Sequence, residues 1–126
     1  MLAQMIAAEL ELGFSFAERI VTDRPGMYPI DYRVPAALRN AMSGKRVALV
    51  DDGISAGSAV ASTLKDLESC GARTVVLGAL IIVGERPDVM AREKMLPLER
   101  LVEASQPIWS PDDCPMCRAG VSTTAI

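Results

Sequence analysis

Apolar and polar residues alternate along this chain with two different periods, and the period predicts where helices and strands lie. Over 2–12 the apolar residues recur every three or four positions, which predicts a helix that stops at Gly13. Residues 14–21 alternate large side chains with small or polar ones, which predicts a strand. The next segment, 22–35, contains three prolines and a glycine and is typical of a loop.

The middle of the chain predicts one βαβ unit. Residues 35–42 have the pattern of a short helix, and the apolar run within 46–51 predicts a buried parallel strand. A helix with one apolar face follows over 58–70, and 74–83 has the composition of a second buried strand. Two parallel strands joined by a helix are expected to form a right-handed crossover. Beyond this unit, 87–94 predicts another short helix.

The carboxyl end of the strand 46–51 carries the pattern with the clearest chemical meaning. Two carboxylates, Asp51 and Asp52, are followed by small residues and then by a helix that opens near Ser58. A strand–loop–helix corner of this kind directs several backbone N–H groups and the positive end of the helix at one point. Such a point suits a phosphate group.

The loop residues of this corner fit a phosphorylated sugar. Gly53, Ala56 and Gly57 leave the backbone open to close approach, and Ser55 and Ser58 supply hydroxyl donors. Because carboxylates repel phosphate, the two aspartates would instead accept hydrogen bonds from nearby hydroxyls. The corner therefore predicts a site for a ribose 5-phosphate. The competing interpretation is a solvated turn, since Asp and Gly both favour turns.

The stretch from Val47 to Ala59 resembles the phosphoribosyl-pyrophosphate signature of the type I phosphoribosyltransferases. The resemblance implies that Asp51 and Asp52 hold the ribose 2- and 3-hydroxyls during catalysis and that the following loop holds the 5-phosphate. The residues implied for phosphate and ribose binding are Asp51, Asp52, Gly53, Ile54, Ser55, Ala56, Gly57, Ser58 and Ala59. Two positions where the family usually has Thr are Ser55 and Ala56 here, so one hydroxyl is lost.

The same resemblance implies an α/β fold with a Rossmann-like parallel sheet flanked by helices, incomplete at the N-terminal side. It implies a single domain over 1–126, with a C-terminal tail at 105–126. The spacing of 97–104 alone favours a helix, but the family has a strand there, and we follow the family. In the family a Gly-rich pyrophosphate loop precedes the first helix. None precedes the helix over 2–12, so we expect a shortened chain that binds nucleotide with turnover near background.

Basic residues that could assist catalysis are few before Lys45. In orotate-type members a mobile loop after the second strand carries basic catalytic residues, and Arg19 and Arg24 are the candidates in that region. The competing interpretation places both arginines in solvent. Tyr28, Tyr32 and Arg33 resemble the family's stretch that leads into the central strand.

Three cysteines and the absence of histidine restrict the remaining chemistry. Without histidine there is no Ser-His or Cys-His nucleophile pair and no His-containing metal site. Cys70 falls on the apolar face of its helix and is predicted to be a core residue. Cys114 and Cys117 form a C-x-x-C pair, which cannot close a four-ligand zinc site within one chain but could do so across a dimer. A redox dithiol would need this pair to open a helix after a strand, which is not predicted, so packing of a tail turn is the default interpretation.

Composition limits the class of protein. The 126 residues are half hydrophobic, enough for one globular domain, and the net charge of −3 argues against general binding of nucleic acid or an anionic membrane. The start lacks a basic leader, and the longest apolar run, 75–83, is far shorter than the roughly 20 residues that span a bilayer. We expect a cytoplasmic protein.

The segment Trp109 to Val121 resembles the C-P-L-C tail of some bacterial orotate phosphoribosyltransferases, which favours the orotate-type branch. The resemblance implies transfer of phosphoribosyl from phosphoribosyl pyrophosphate to orotate in a homodimer, with Mg²⁺ bound mainly through the substrate pyrophosphate and no protein metal site. Three alternatives stay open: transfer to another nucleobase, a non-catalytic phosphoribosyl- or nucleotide-binding module, and a metal-bridged dimer module built on Cys114 and Cys117.

Overall fold

The computed structural model describes residues 1–23, 30–105, 109 and 112–121. Its helices are α1 (Leu2–Glu9), α2 (Ala36–Met42), α3 (Ser58–Ser69), α4 (Arg86–Glu93) and α5 (Pro115–Arg118). Its strands are β1 (Glu18–Val21), β2 (Ile30–Arg33), β3 (Arg46–Ile54), β4 (Arg73–Val83) and β5 (Leu98–Ala104). Within these ranges no helix combines the length and the apolar character needed to cross a membrane.

A three-stranded parallel sheet in the order β3-β4-β5 forms the centre of the fold, so the α/β class is confirmed. Strand β4 lies in the middle, and its Leu77 and Ile82 are fully buried. Helix α3 connects β3 to the parallel β4, which confirms the predicted βαβ unit. The buried side chains of Ile54, Val60 and Leu64 pack against β4 and join the end of β3 to the start of α3.

Strand β3 is longer and less buried than predicted. It pairs only with β4 among the described strands, so it is an edge strand, with Val47 and Val50 half-buried and Ala48 exposed. The strand also continues past the aspartates to Ile54, because Gly53 pairs in register with Ile81. A Cβ on residue 53 would lie 3.3 Å from Ile81 Cγ2, so glycine lets the ladder continue here. The loop after the strand is therefore shorter than 53–57.

The first third of the chain departs most from the prediction. Helix α1 ends at Glu9 instead of residue 12, because Glu11 adopts a left-handed conformation with φ +53°. Only Glu18–Val21 of the predicted strand 14–21 is extended in a sheet. The predicted loop 22–35 contains β2, which pairs antiparallel with β1, and the loop prediction was wrong for those residues. Tertiary pairing outweighs the turn residues around β2.

The C-terminal third contains one confirmed and one wrong prediction. Strand β5 pairs parallel with β4, as the resemblance implied and the apolar spacing did not. Arg100 on β5 donates to both carboxylate oxygens of Asp88 on α4, at 2.6 and 2.7 Å, and ties the helix to the sheet edge. The C-x-x-C pair was predicted not to open a helix, but Cys114 immediately precedes α5. Pro115 at the first position favours this helical turn because its φ is already helical.

A carboxylate on α3 holds the β2–α2 segment against the domain. Asp66 Oδ2 accepts a hydrogen bond from the Val34 backbone N–H at 2.7 Å and another from Arg39 at 2.8 Å. Burial alone would raise the pKa of Asp66, but the Val34 N–H and the Arg39 guanidinium favour the charged form more strongly. The net result is a pKa below the ordinary carboxyl value. Beneath this contact Val34, Leu67 and Ala72 form a second buried cluster, and Cys70 packs against it as predicted.

We predict that Asp66→Asn lowers the free energy of unfolding by about 1.5–3 kcal/mol at neutral pH, since it removes charge-assisted hydrogen bonds. The lowered pKa of Asp66 also sets how its contribution to the free energy of unfolding depends on pH. The contribution of Asp66 is present above the unfolded-state pKa and is lost as the pH falls through the folded-state pKa. Urea denaturation at several pH values should show that the variant lacks this acid-sensitive part.

The matched control is Glu68→Gln, which removes an exposed charge from the same helix with only a 3.8 Å contact to Lys94. Equal stability losses in the two variants would contradict the role given to Asp66.

Candidate functional site

The corner between β3 and α3 is anchored on both sides by buried residues. Ile54 ends the strand in the core, Val60 lies buried in the first turn of the helix, and three residues link the two elements. Gly57, the last of them, has φ +77°, a left-handed conformation that side chains disfavour. This conformation turns the backbone directly into α3, as the small-residue loop predicted.

The first turn of α3 offers donors that no side chain in the described ranges satisfies. The N-terminus of α3 has no side-chain cap, so the first N–H groups of the helix point outward without an intrahelical partner. Ser55 is half-buried and Ser58 exposed, and neither hydroxyl makes a hydrogen bond within the described part of the chain. Backbone and hydroxyl donors at one helix end form an arrangement that can bind a phosphate.

The two aspartates each keep one carboxylate oxygen free of backbone hydrogen bonds. Asp51 Oδ1 accepts from the Asp52 N–H, and Asp52 Oδ1 accepts from the Gly53 N–H, both at 2.9 Å. Asp51 is half-buried, whereas Asp52 is exposed. Burial raises the pKa of Asp51, and the neighbouring Asp52 side chain and its charge raise it further. The remaining oxygens can accept hydrogen bonds from sugar hydroxyls.

A cavity of about 460 Å³ runs from these aspartates along β3 towards α1. Asp51, Asp52 and Ala59 line it at the phosphate corner, and most of its other walls are apolar. Ser15 and Tyr32 also line the cavity, and the buried Ser15 Oγ has no hydrogen-bond partner among the residues that the structure describes. Sequence reasoning did not assign Ser15 to the site because no motif surrounds it. Tyr32 had a signal only in its resemblance to the family stretch before the central strand.

Comparison with known proteins finds relatives of similar sequence and solved structures of similar fold. No protein-family model matches the chain. Over 79 residues the chain is 32% identical to the orotate phosphoribosyltransferase of Thermotoga maritima, a match that covers 62% of this chain and 40% of that protein. The chain therefore spans about two fifths of the length of the curated relatives it matches.

Solved structures agree on the fold. The orotate phosphoribosyltransferase from Aeropyrum pernix matches with a TM-score of 0.55 at 21% identity, covering 80% of this chain and 51% of that one. The adenine phosphoribosyltransferase from Trypanosoma brucei matches with a TM-score of 0.63 at 19% identity, covering 89% and 54%. This chain is related to the type I phosphoribosyltransferases and shares their fold.

In this phosphoribosyltransferase fold, the structure does not bring the predicted basic candidates to the cavity. Arg19 is exposed on β1 and does not line the cavity, while Arg24 and Tyr28 lie outside the described residues. The lining contains no Arg or Lys among the residues that the structure describes. The nearby Arg33 lies 3.9 Å from Asp31 instead.

We predict that Gly57→Ala weakens binding of inorganic phosphate. An alanine at this φ costs about 1 kcal/mol in strain, and its Cβ would lie 3.3 Å from both Met90 Sδ and Met90 Cε. The Met90 side chain can yield to the new Cβ by a few tenths of an ångström, but the strain at φ +77° is relieved only if the loop backbone moves. Isothermal titration calorimetry with phosphate should therefore show lower affinity, alongside reduced stability in urea.

Gly44→Ala is the matched control, because Gly44 has a similar φ of +70° and a Cβ at this position would meet no described atom within 4 Å. It should lose stability but not phosphate affinity. Identical phosphate binding by the Gly57 variant and the unaltered protein would show that the loop geometry is not needed.

Proposed function

We propose that this chain binds a ribose 5-phosphate group and carries out phosphoribosyl transfer from phosphoribosyl pyrophosphate to orotate, giving orotidine 5′-phosphate and pyrophosphate. The observation that carries the proposal is the placement of Asp51 and Asp52 at the end of β3, next to the uncapped N-terminus of α3. Acceptors for sugar hydroxyls and donors for a phosphate thus lie on one short stretch of backbone.

In this proposal the 5-phosphate sits on the backbone of 54–59. The N–H groups of the first turn of α3 and the hydroxyls of Ser55 and Ser58 donate to its oxygens. Asp51 and Asp52 accept hydrogen bonds from the ribose 2- and 3-hydroxyls. The sugar is then fixed at both ends, so that its anomeric carbon faces the cavity beside β3. Such positioning lowers the entropic part of the barrier.

The bond to pyrophosphate breaks through a transition state that resembles an oxocarbenium ion. The carboxylates of Asp51 and Asp52 are negative groups near this developing positive charge, and they stabilise it electrostatically. Because the pKa of Asp51 is raised, this contribution grows as the pH rises and Asp51 ionises.

Magnesium is the metal ion that the family implies, and the donors present fit a substrate-borne ion. Mg²⁺ commonly keeps several waters and binds through one or two carboxylates together with substrate phosphates. In the described ranges no three acidic or cysteine side chains gather into a metal site, whereas Asp51 and Asp52 form an adjacent pair at the cavity. When bound, the ion would neutralise charge on the leaving pyrophosphate.

The curated relatives and the fold neighbours both support a phosphoribosyl ligand, and the relatives also support orotate as the base. The curated relatives are orotate phosphoribosyltransferases, which favours orotate as the base. The fold neighbours include both orotate and adenine enzymes, so the fold does not choose between the bases. The Trypanosoma brucei enzyme was solved with AMP, pyrophosphate and ribose-5-phosphate, ligands that share the phosphoribosyl group proposed here.

A second candidate function is a non-catalytic module that binds a phosphoribosyl group without transferring it. The apolar cavity favours it, because the described lining has no Arg or Lys to stabilise a departing pyrophosphate. Binding would still use the corner between β3 and α3.

We predict that the double variant Asp51→Asn, Asp52→Asn binds ribose 5-phosphate more weakly, since each charge-assisted hydrogen bond lost costs about 1.5–3 kcal/mol. The fold should survive because Asp52 is exposed and Asp51 only half-buried. Calorimetry with ribose 5-phosphate measures the effect. Glu9→Gln combined with Glu99→Gln removes the same charge from exposed positions and should leave affinity unchanged.

We predict that the chain, supplied with phosphoribosyl pyrophosphate and Mg²⁺, releases pyrophosphate slowly with orotate and not with adenine. The rate should be low because the described cavity lining has no Arg or Lys to stabilise the leaving pyrophosphate. An enzyme-coupled pyrophosphate assay on protein purified from a host lacking its own orotate enzyme measures this. Release with adenine alone would reassign the base, while nucleotide binding without release would support the non-catalytic module. Failure to bind ribose 5-phosphate at all would remove both functions.

A further inference from the structure

Strand β3 has one side that pairs with no strand in the described part of the chain. It forms a parallel ladder with β4, and β1 and β2 form a separate sheet. Apart from that ladder, the backbone of 47–50 makes no hydrogen bond with a described residue. The outward N–H and C=O groups of an edge strand are a template for pairing with another chain. We call the outer side of residues 47–50 the β3 edge.

The two edges of the central sheet differ in charge. Strand β5, at the other edge, carries Glu99, Arg100 and Glu103, and Arg100 Nη1 lies 3.7 Å from Glu103 Oε2. Charged side chains on an edge strand discourage pairing with other chains. Residues 47–50 are Val, Ala, Leu and Val, with no charge among them. The composition therefore protects the edge at β5 and leaves the β3 edge open to pairing.

The cavity described above follows this edge instead of one face of the sheet. Its lining includes every residue of β3 from Val47 to Asp52. Because successive side chains of a strand point to opposite faces, a cavity on one face would be lined mainly by alternate residues. A consecutive run means that the space lies beside the backbone of the strand. At about 3.3 Å per residue this run is about 20 Å long, which suits an extended chain.

The space beside the β3 edge is bounded mostly by apolar side chains. Helix α3 contributes Val60 and Leu67 to the lining, and the first residues of α1 and residues 14–17 also line it. A chain that enters this space leaves water, so polar side chains at its centre would lose hydrogen bonds without replacement. The central residues of such a chain therefore have to be apolar.

The two ends of the run carry opposite charges. Lys45 and Arg46 precede it, are exposed and form no ion pair with a described residue. Asp51 and Asp52 end it. Opposite charges on neighbouring strands stabilise their pairing, whereas like charges destabilise it. A complementary strand therefore has an acidic residue at the lysine end and a basic residue at the aspartate end.

We propose that the β3 edge is a docking site for an extended peptide segment of a partner protein. The segment has four central apolar residues, an acidic residue beside Lys45 and Arg46, and a basic residue beside Asp51 and Asp52. It adds a fourth strand to the three-stranded sheet. Backbone hydrogen bonds to β3 supply affinity, and the apolar walls and the two charged ends select the sequence.

A second copy of this chain is the less suitable occupant, although its own β3 has matching charges in the antiparallel direction. The start of α1 and residues 14–17 line the space beside the β3 edge. A second copy would bring the same elements with its β3, and the two sets would meet at the interface. A single extended segment carries no such elements and enters the space alone.

The test measures the fluorescence anisotropy of labelled hexapeptides with the full chain. The matching peptide is glutamate, valine, isoleucine, valine, isoleucine and lysine, and it should bind saturably. The mismatched peptide has lysine at both ends, which sets a like charge beside Lys45 and Arg46. It should bind about tenfold more weakly. The double variant Lys45→Glu, Arg46→Glu should reverse this preference, because its new carboxylates attract the second lysine.

A charge placed on the β3 edge should block docking. Ala48 is exposed, so Ala48→Lys should fold normally and lose the matching peptide. Leu101→Lys is the matched control, since Leu101 lies on β5 at the other edge and is 79% exposed. It should bind the peptide as the unaltered protein does. Circular dichroism checks that each variant is folded.

Three results would overturn the proposal. The first is the absence of saturable binding of the matching peptide up to millimolar concentration. The second is an unchanged preference between the two peptides in the double variant, which would show that the charged end does not select the segment. The third is a dimer in analytical ultracentrifugation that Ala48→Lys abolishes, without peptide binding by the unaltered protein. That result would assign the edge to a second copy.

Discussion

The parallel pairing of β3 with β4 is the constraint on which the candidate site depends. Strand β4 carries the fully buried Leu77 and Ile82, so its position in the core is fixed. The register then sets Asp51 opposite Ala79 and Gly53 opposite Ile81. Because the ladder persists to Ile54, the two carboxylates lie on a rigid strand, and only the three residues that follow form a loop. A site on such an element is held more precisely than a site on a long loop.

A second set of contacts positions the chain that covers this strand. Helix α3 has two different faces. Apolar residues on one face pack on the sheet, while Ser62 and Asp66 accept hydrogen bonds from backbone N–H groups of the β2–α2 segment. Ser62 Oγ accepts a hydrogen bond from the Tyr32 backbone N–H at 2.9 Å. Ser62 lies one helical turn before Asp66. The same helix that opens with the proposed phosphate donors therefore also fixes Tyr32, which lines the cavity. Movement of α3 would disturb both sides of the site together.

The sequence predicted the βαβ unit well because its signals are local and agree with one another. Apolar strands, the helical spacing that begins near Ser58, and Gly71, which follows α3 with φ +74°, all indicate the same boundaries. The local patterns alone failed where long-range pairing decides the structure. The strand β2 lies in a segment rich in turn residues, and β5 has helical apolar spacing; both are extended because a neighbouring strand pairs with them. Ser15 was missed because a lone serine has no pattern until the fold brings it to a cavity.

Met90 contacts the loop through Gly57, and this contact makes the thioether methyl a spectroscopic probe. A Cβ on residue 57 would lie 3.3 Å from Met90 Cε, so the methyl group sits directly against the left-handed backbone before α3. Its chemical shift depends on the peptide groups beside it. Methyl labelling of methionine, with Met90 assigned by substitution, thus gives a signal that follows the loop backbone during a ligand titration. The reporter lies on α4, so no side chain implied in ligand binding has to be altered to observe the site.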